Sequence, residues 1–367
     1  MNHHRIAVIP GDNSGPEVAA AGLRVLERLQ ALGYARFTHE IFPWGARHFL
    51  ETGRAAPENI CAILRDFDAI YMGAHGDPAH VPDRIGSQQL MHPIRKGFDL
   101  FANVRPVKWY AGTEIPLKHS DPIDVVVVRE NTEGEYTATG GRVHQGTADE
   151  VAIQASVVSR RGAERIMRYA FELARRRNGK KYVHCVTKSN ALSYTMVLWD
   201  EVFAHVAADY PDIRTAKSHV DAMSMYVITR PASFDVVVAT NLMGDIISDE
   251  AACVCGSIGL AASANINPSR HTPALFEPIH GSASDIAGRG IANPIGAILA
   301  AGMMLDWLGE TKASRAVEAA VAMVLATGRV RTPDLGGHAS TADMTDAILD
   351  GLPPPPPSGS RQTAGTY

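Results

Sequence analysis

The 367-residue chain is long enough to bury a substantial core and to form one large or two ordinary domains. Hydrophobic residues make up 46% and charged residues 20%, which is typical of a soluble globular protein and excludes a disordered chain. The formal net charge of −4 provides no overall attraction to nucleic acid or to an anionic membrane. No apolar run reaches the length of a membrane span.

The amino terminus and the cysteines indicate the compartment. The first residues enter an apolar run at once and lack the layout of a signal peptide. The spacing of the four cysteines fits no zinc motif, and a chain of this length does not need disulfides. We therefore expect a cytoplasmic protein.

Short apolar runs alternate with amphipathic stretches along most of the chain. The first strand, Arg5 to Pro10, ends at a Gly-Asp-Asn-Ser-Gly loop, and a helix follows from Pro16 to about Leu32. Further predicted strands are Ala35–Phe42, Ala69–Met72, Val125–Arg129, Tyr182–Thr187, Ile213–His219 and Phe234–Val238, and predicted helices include Arg160–Arg177, Tyr194–Ala208 and two between Pro294 and Thr327. This alternation predicts an α/β fold with a largely parallel sheet flanked by helices. The first loop lacks G-x-G-x-x-G, so a standard Rossmann fold is not expected.

Two segments depart from this alternation. The β-branched and polar mixture between Arg142 and Ser159 favours a hairpin arm. Residues 351–367 are rich in proline and polar residues, and we interpret them as a disordered tail.

A pair of carboxylates follows the strand Phe234–Val238. We expect a helix to open at Gly244, which places Asp245 and Asp249 one turn apart on the same face. Two carboxylates in this arrangement suit Mg²⁺ or Mn²⁺, which prefer oxygen ligands. The alternative is a pair of ordinary solvated acids near a helix N-terminus, where the helix dipole favours them.

Three arginines, Arg95, Arg105 and Arg129, stand in distinctive short motifs, and Arg129 closes an apolar strand. A guanidinium group binds a carboxylate through two parallel hydrogen bonds, which a lysine cannot do. Each arginine taken alone could be a structural ion pair. Together with the paired aspartates they predict a small substrate with at least two carboxylates.

Three more polar residues follow predicted strands. Tyr136 comes seven residues after Arg129 and could donate a proton in the same pocket, or simply pack in the core. Lys188 follows a buried strand; near other cations its ammonium form would be disfavoured, as in a lysine base, although a surface lysine is equally compatible. Asp221 is a third carboxylate at a strand end.

The stretch from Leu275 to Pro294 predicts a nucleotide loop. Gly281 and the small residues after it allow the backbone to approach a ligand closely. Asp285 could accept hydrogen bonds from a ribose diol and would repel a 2′-phosphate. The alternative is a small-residue loop that connects two elements.

These stretches together carry a resemblance that covers residues 5 to about 346. The chain resembles the metal-dependent β-decarboxylating dehydrogenases that act on isocitrate, 3-isopropylmalate, homoisocitrate, and tartrate or D-malate. The motifs that carry this resemblance are Phe101–Pro106, Arg129–Tyr136, Lys188–Asn190, Val220–Met223, Gly244–Glu250 and Glu277–Asn293.

The resemblance implies roles for the candidate residues. Arg95, Arg105 and Arg129 would bind the 2-hydroxy diacid. Mg²⁺ or Mn²⁺ would be held by Asp245 and Asp249 together with Asp221 of the partner subunit. Lys188 of the partner subunit would take the hydroxyl proton, and Tyr136 would protonate the enolate after CO₂ leaves. The residues implied to contact NAD are His280, Gly281, Ser282, Asp285 and Asn293, with Asp285 selecting NAD over NADP.

The resemblance also implies a two-domain, isopropylmalate-dehydrogenase-like fold. Residues 1–100 and 256–350 would form the cofactor-binding domain. Residues 101–255 would form the domain for substrate, metal and dimerisation, with the arm at 142–159 helping to build a homodimer. The first loop departs from relatives at Asn13, but asparagine tolerates a left-handed backbone, so we expect the turn to survive.

The segment before Arg95 bears on the substrate. Gln88, Gln89 and His92 would make a wall too polar for an isopropyl group. Similarities at Val81–Asp83 and Ser263–Pro268 favour a tartrate or D-malate dehydrogenase. The alternatives are 3-isopropylmalate dehydrogenase, then NAD-dependent isocitrate dehydrogenase. In a different class, a non-catalytic partner subunit should have lost the lysine, tyrosine or aspartates named above.

Overall fold

The structure is a computed structural model that describes residues 2–118 and 121–356. Most of the predicted proline-rich tail, from residue 357 on, lies outside the described residues. The residues before it are anchored, because Leu352 is buried and the Tyr34 hydroxyl donates to the Pro353 carbonyl at 3.1 Å. None of the helices in the described ranges has the length and apolarity that crossing a bilayer requires.

In the described ranges the strands are β1 (His3–Ile9), β2 (Arg36–Ile41), β3 (Ala69–Met72), β4 (Ala102–Lys108), β5 (Asp124–Glu130), β6 (Gly140–Val143), β7 (Val151–Gln154), β8 (Tyr182–Thr187), β9 (Arg214–His219), β10 (Val236–Ala239), β11 (Ala262–Ile266) and β12 (Ala274–Pro278). The α-helices are α1 (Gly15–Leu32), α2 (Ala46–Thr52), α3 (Ile60–Leu64), α4 (Asp83–Gly86), α5 (His92–Gly97), α6 (Arg160–Arg177), α7 (Thr195–Ala207), α8 (Val220–Thr229), α9 (Asn241–Val254), α10 (Ile295–Trp307), α11 (Thr311–Thr327) and α12 (Thr341–Asp350). A π-helical turn, Ser87–Met91, connects α4 to α5.

Ten of these strands form one sheet in the order β2-β1-β3-β12-β11-β4-β5-β10-β8-β9. The first four are parallel to each other, and so are the last four. Between them, β11 and β4 pair antiparallel with each other and with their neighbours. Each antiparallel step reverses direction, so the two parallel blocks run in opposite senses. The predicted α/β class with a largely parallel sheet is confirmed.

The central strands β4, β11 and β12 were not predicted as strands. On one face of the sheet they carry Asn103, Arg105, Ser263, Asn265 and Glu277, which are all at most 6% exposed. Because these polar residues alternate with apolar ones, they break the apolar runs that indicated the other buried strands.

Helix α9 begins at Asn241, three residues before the predicted start at Gly244. Thr240 is extended, with φ −65° and ψ 171°, and its carbonyl accepts from the Gly244 N–H at 2.8 Å. The first turn therefore lies directly after β10, which brings Asn241 as well as Asp245 onto the sheet.

Residues 140–154 form a two-stranded hairpin away from the main sheet. Its side chains are exposed, including Val143 at 55% and Ile153 at 65%. Ser159, at the end of the expected arm, accepts from the Gly162 N–H at 2.9 Å and caps α6.

His184 on β8 should make the fold sensitive to acid. It is 3% exposed, and its ring nitrogens face the Tyr182 hydroxyl at 2.7 Å and the Ser218 hydroxyl at 3.0 Å. Burial, with a smaller contribution from Arg230, lowers its pKa to about 4. In the unfolded chain His184 is protonated below about pH 6.5, whereas in the folded chain it stays neutral down to about pH 4. The free energy of unfolding therefore decreases as the pH falls from about 6.5 toward 4.

We predict that His184→Gln reduces the loss of unfolding free energy between pH 7 and pH 5 by ~2 kcal/mol. Urea unfolding of both proteins at the two pH values measures this difference. His144→Gln, which removes an exposed histidine of the hairpin, controls for the loss of a titratable group. Equal losses in wild type and His184→Gln would contradict the prediction.

Candidate active site

A cavity opens on one face of the sheet, beside its antiparallel centre. Its wall combines the loop after β3, the segment before Arg95, the two buried arginines of β4 and β5, and the loop after β12. The lining residues are Gly73, Ala74, His75, Ser87, Met91, His92, Arg95, Arg105, Arg129, Tyr136, Asp245, Glu277, Pro278, Ile279, His280 and Gly281. The three predicted arginines, Tyr136 and Asp245 thus share one cavity.

Arg105 points into this cavity from the middle of β4, because alternate residues of a strand face the same side. It is 5% exposed. Its Nη1 lies 2.9 Å from Asp245 Oδ1 and 3.2 Å from Asp249 Oδ1. The same nitrogen donates to the Ser248 hydroxyl at 2.7 Å. One guanidinium therefore touches both carboxylates of the predicted metal pair.

Arg129, at the end of β5, is 2% exposed. Its Nε and Nη2 both donate to Asn241 Oδ1, at 3.0 and 2.7 Å, and its Nη1 donates to Asp245 Oδ1 at 2.5 Å. Burial and the nearby Arg105 lower the pKa of Arg129, while Asp245 opposes them. Asp245 thus provides the counter-charge that a buried arginine requires.

The two aspartates of α9 have different electrostatic surroundings. Burial alone would raise the pKa of Asp245, but Arg129 and Arg105 outweigh it and hold that pKa below its ordinary value. Burial raises the pKa of Asp249, with Asp245 adding to the effect and Arg105 opposing it. Asp249 is the more exposed of the pair, with 46% of its side chain accessible against 32% for Asp245.

Tyr136 closes one side of the cavity. Its hydroxyl donates to Asp245 Oδ2 at 3.0 Å, and its ring lies 5.4 Å from the Arg129 guanidinium. Burial, followed by the charge of Asp245, raises the pKa of this hydroxyl. Its proton is therefore retained at neutral pH and faces the cavity.

Arg95 comes from α5 and reaches the cavity from the other side. Its Nη2 donates to Glu277 Oε1 at 3.0 Å. Glu277 was not among the predicted site residues, although it lies on a buried strand, where an unpaired carboxylate is costly. Because β12 was not recognised as a strand in the sequence, nothing there indicated that Glu277 is buried and needs a cationic partner.

The prediction that Gln88, Gln89 and His92 form a polar wall of the site is wrong for the two glutamines. Gln89 Oε1 accepts from the Ala55 backbone N–H at 2.9 Å, and Gln88 is exposed, so neither lines the cavity. The π-helical turn carries one more residue than an α-helical turn and changes which side chains face inward. Ser87 and Met91 line the cavity instead, beside His92.

His92 is neutral at physiological pH. Burial, followed by Lys96 and Arg95, lowers its pKa to about 4. Its ring meets that of Tyr136 edge-on, with the ring centroids 6.1 Å apart. A neutral imidazole offers one donor and one acceptor, which suits a hydroxyl better than an alkyl group.

Lys188 and Asp221 lie outside this cavity and pair with each other, with 2.7 Å between Nζ and Oδ1. Lys188 therefore faces a carboxylate and not the cations expected from the sequence. The hydrogen bond from Lys188 lowers the pKa of Asp221. Strand order explains the separation: β8 and β9 are the second and third strands from β5, about 10 and 15 Å away at the usual strand spacing.

Within one chain, only two of the three aspartates expected to bind a cation lie close together. Among residues 2–118 and 121–356, no group of three or more His, Cys, Asp or Glu side chains is placed to hold a metal ion. Asp245 and Asp249 are one turn apart on α9, and the third expected ligand, Asp221, is elsewhere.

The predicted nucleotide loop lies at the mouth of the cavity. His280 and Gly281 line it, and Asp285 is exposed. The Ser282 carbonyl accepts from the Ser14 N–H at 2.9 Å, which joins this loop to the first loop of the chain. There Asn13 has a left-handed φ of 54°, so the expected turn is formed with asparagine.

Asn293 has a structural role in this chain. Its Nδ2 donates to Asp334 Oδ2 at 2.9 Å, and its Oδ1 accepts from the Ile295 N–H at 3.0 Å, at the start of α10. Both polar atoms of the side chain are therefore engaged by the protein.

Comparison with known proteins identifies the family. The family model described as "Isocitrate/isopropylmalate dehydrogenase" matches residues 5–348, and the chain belongs to that family. The chain is 46% identical to the "Probable tartrate dehydrogenase/decarboxylase" of Bacillus subtilis (strain 168), over 96% of this chain and 99% of that protein. It is also 46% identical to the "D-malate dehydrogenase [decarboxylating]" of Escherichia coli (strain K12), over 95% and 98% of the two chains.

A solved structure supports the same conclusion. The isocitrate dehydrogenase from Methylococcus capsulatus is similar with a TM-score of 0.86 and 38% identity, covering 95% of this chain and 99% of that one. The family recognised from the sequence and its fold are therefore confirmed. The relatives are named dehydrogenases/decarboxylases, so the predicted class of enzyme, a decarboxylating dehydrogenase, is confirmed as well.

Gly244 is the point at which α9 touches β5. A Cβ atom there would lie 2.9 Å from the Cβ and Cγ of Arg129, closer than real Cβ contacts. Because Arg129 is held by Asn241 and Asp245 of the same helix, neither side can yield freely.

We predict that Gly244→Ala costs ~1–3 kcal/mol of stability through overpacking and lowers turnover by moving Asp245 relative to the arginines. Gly302→Ala is the matched control, since its new methyl would meet Val317 Cγ1 at an ordinary 3.5 Å inside another helix. Thermal unfolding and steady-state kinetics of both variants check this. A Gly244→Ala protein as stable and active as Gly302→Ala would contradict the predicted contact.

Proposed function

We propose that the protein oxidises and decarboxylates a small 2-hydroxy dicarboxylic acid, D-malate or tartrate, with NAD and with Mg²⁺ or Mn²⁺. The observation that carries this proposal is the cavity lined by three guanidinium groups, in which Arg105 and Arg129 share Asp245 and Arg95 pairs with Glu277. Each guanidinium group has more N–H donors than these carboxylates occupy, and the remaining donors suit a dianionic ligand.

The donor set at α9 fits a hard divalent cation. Asp245 and Asp249 supply oxygen ligands one turn apart, which Mg²⁺ and Mn²⁺ prefer. A diacid that binds Arg105 and Arg129 competes for the hydrogen bonds that Asp245 now accepts from them. The oxygens of Asp245 are then available to a cation beside the substrate. A bound cation would supply Lewis acidity at the substrate hydroxyl, and bound NAD⁺ would supply the hydride acceptor.

The side chains of the chain supply orientation and proton transfer. The arginines hold the substrate carboxylates, and Lys188 of the partner subunit, in its neutral amine form, takes the proton of the C2 hydroxyl. Tyr136 keeps its proton at neutral pH and donates it to C3 after CO₂ departs. All five residues expected to be lost in a non-catalytic subunit are present in this chain, at positions 136, 188, 221, 245 and 249.

The proposal of a homodimer rests on an exposed apolar surface. Met225 and Ile228 of α8 are 58% and 48% exposed, and Leu242 and Ile246 of the adjacent α9 are 38% and 49% exposed. Apolar side chains gathered on neighbouring helices are typical of an interface. Pairing through this surface would bring Lys188 and Asp221 of the partner subunit toward a cavity that lacks both.

The choice of substrate rests on His92 and on the relatives. His92 is a neutral hydrogen-bonding group in the segment before Arg95, and it lines the cavity. The relatives at 46% identity carry the names tartrate and D-malate dehydrogenase. Asp285 is exposed at the loop after β12, where it can meet a ribose diol and repel a 2′-phosphate.

A substrate panel tests this proposal. With Mn²⁺ and NAD we expect NADH formation from D-malate or a tartrate isomer, its loss when a chelator is added, and slower turnover with NADP. The other panel substrates are 3-isopropylmalate and isocitrate. Turnover on 3-isopropylmalate alone would overturn the choice of substrate, and turnover on none would favour a non-catalytic subunit.

A mixing experiment tests the shared site. Lys188→Ala and Asp245→Asn chains should each be inactive as homodimers. When they are coexpressed, about half of the dimers are mixed, and one of their two sites is intact, so about a quarter of wild-type activity should return. If the groups act within one chain, the mixture stays inactive. Size-exclusion chromatography verifies that all three preparations are dimers.

A further inference from the structure

A hydrogen-bonded chain of buried polar side chains connects two of the cavity arginines through the centre of the sheet. Arg105 Nε donates to Asn103 Oδ1 at 2.7 Å. Asn103 Nδ2 donates to Asn265 Oδ1 at 2.9 Å, and Asn265 Nδ2 donates to Glu277 Oε1 at 2.8 Å. The same Glu277 oxygen accepts from Arg95 Nη2 at 3.0 Å. The chain crosses β4, β11 and β12 and ends on α5.

The direction of every bond in this chain is determined by its ends. A guanidinium only donates, so Arg105 forces the oxygen of Asn103 to face it and the amide nitrogen to face Asn265. An ionised Glu277 only accepts, so the nitrogen of Asn265 must face it. Neither amide can be turned around without placing two donors or two acceptors against each other.

The two asparagines of the chain are also isolated from water. Asn103 and Asn265 are 0% exposed, and Glu277 is 6% exposed. A hydrogen bond broken here is not replaced by one to solvent, so the groups hold their geometry more tightly than surface groups would. A rigid link of this kind keeps the Arg95 and Arg105 guanidiniums at one separation.

We propose that Asn103, Asn265 and Glu277 are positioning residues that set the spacing of Arg95 and Arg105 to match the two carboxylates of the substrate. This inference rests on the proposed function, because it takes a diacid as the ligand of the arginines. Asn265 is the informative position, since it touches neither arginine and does not line the cavity.

Two substitutions of Asn265 test the link. Asn265→Leu removes both links of the chain, together with the bonds of Asn265 to Asn131 Nδ2 and to the Leu275 carbonyl. Misplacement of the arginines should raise KM for D-malate about tenfold at every pH, with kcat and KM for NAD changed less than about twofold. Asn265→Asp still accepts from Asn103 but faces Glu277 with a second carboxylate. At pH 8 it should raise KM, and toward pH 6 the effect should shrink as the two carboxylates share a proton.

Ser263→Ala is the matched control. The Ser263 hydroxyl accepts from the same Asn103 Nδ2 at 2.7 Å and is equally buried, but it is a side branch of the chain. Its loss removes a buried hydrogen bond of similar length and should lower the melting temperature while leaving KM for D-malate unchanged. Circular dichroism and thermal unfolding verify that each variant is folded.

Calorimetric titration with D-malate and Mn²⁺ separates this inference from the proposed function. If wild type binds D-malate but does not oxidise it, the proposed reaction fails, and the dissociation constants of the variants still test the spacing. Folded Asn265 variants with wild-type KM and dissociation constant overturn the inference, as does a parallel rise in KM for NAD. Absence of both binding and turnover in wild type overturns both proposals. If Asn265→Leu does not fold, the pH dependence of the isosteric Asn265→Asp decides.

Discussion

Two guanidinium groups are buried on neighbouring strands, and one carboxylate lies between them. Asp245 Oδ1 contacts Arg105 at 2.9 Å and Arg129 at 2.5 Å. Removing one partner from such a group leaves an uncompensated buried charge, which typically costs about 3–5 kcal/mol. Much of the surrounding structure follows from this constraint: α9 must start directly after β10, and its fourth residue, Gly244, must be glycine so that the helix can approach β5.

The reversal in the middle of the sheet decides which groups can meet. Because β11 and β4 run antiparallel to their neighbours, the loops after β3 and β12 and the side chains of β4 and β5 face the same cavity. In the second parallel block, β5, β10, β8 and β9 all end at the same edge of the sheet, and Lys188 and Asp221 are kept from the cavity by the lateral distance of β8 and β9 from β5.

Sequence patterns predicted the parts of this protein whose local signals are strong. Apolar runs located strands such as Ala69–Met72 and Tyr182–Thr187 at their observed boundaries, and the four-residue spacing placed Asp245 and Asp249 on one turn. The central strands were missed because Asn103, Asn265 and Glu277 interrupt their apolar pattern. These polar residues are satisfied by hydrogen bonds to one another, but Asn103 and Asn265 are some 160 residues apart, so local composition cannot reveal that they are partners. The π-helical turn before Arg95 cannot be predicted from sequence patterns that assume 3.6 residues per turn. For this reason Gln89 was expected to face the substrate.

The position of β12 in the sheet has a consequence for biosynthesis. This strand pairs with β3, which precedes it by roughly 200 residues, a separation over which a nascent edge stays unpaired during translation. Roughly 200 residues must be translated after β3 before the amino-terminal strands can complete their hydrogen bonding. Newly made polypeptides aggregate or bind chaperones when an apolar strand edge stays unpaired for a long time. The yield of folded protein in cells should therefore depend on the rate of translation as well as on the stability of the folded state.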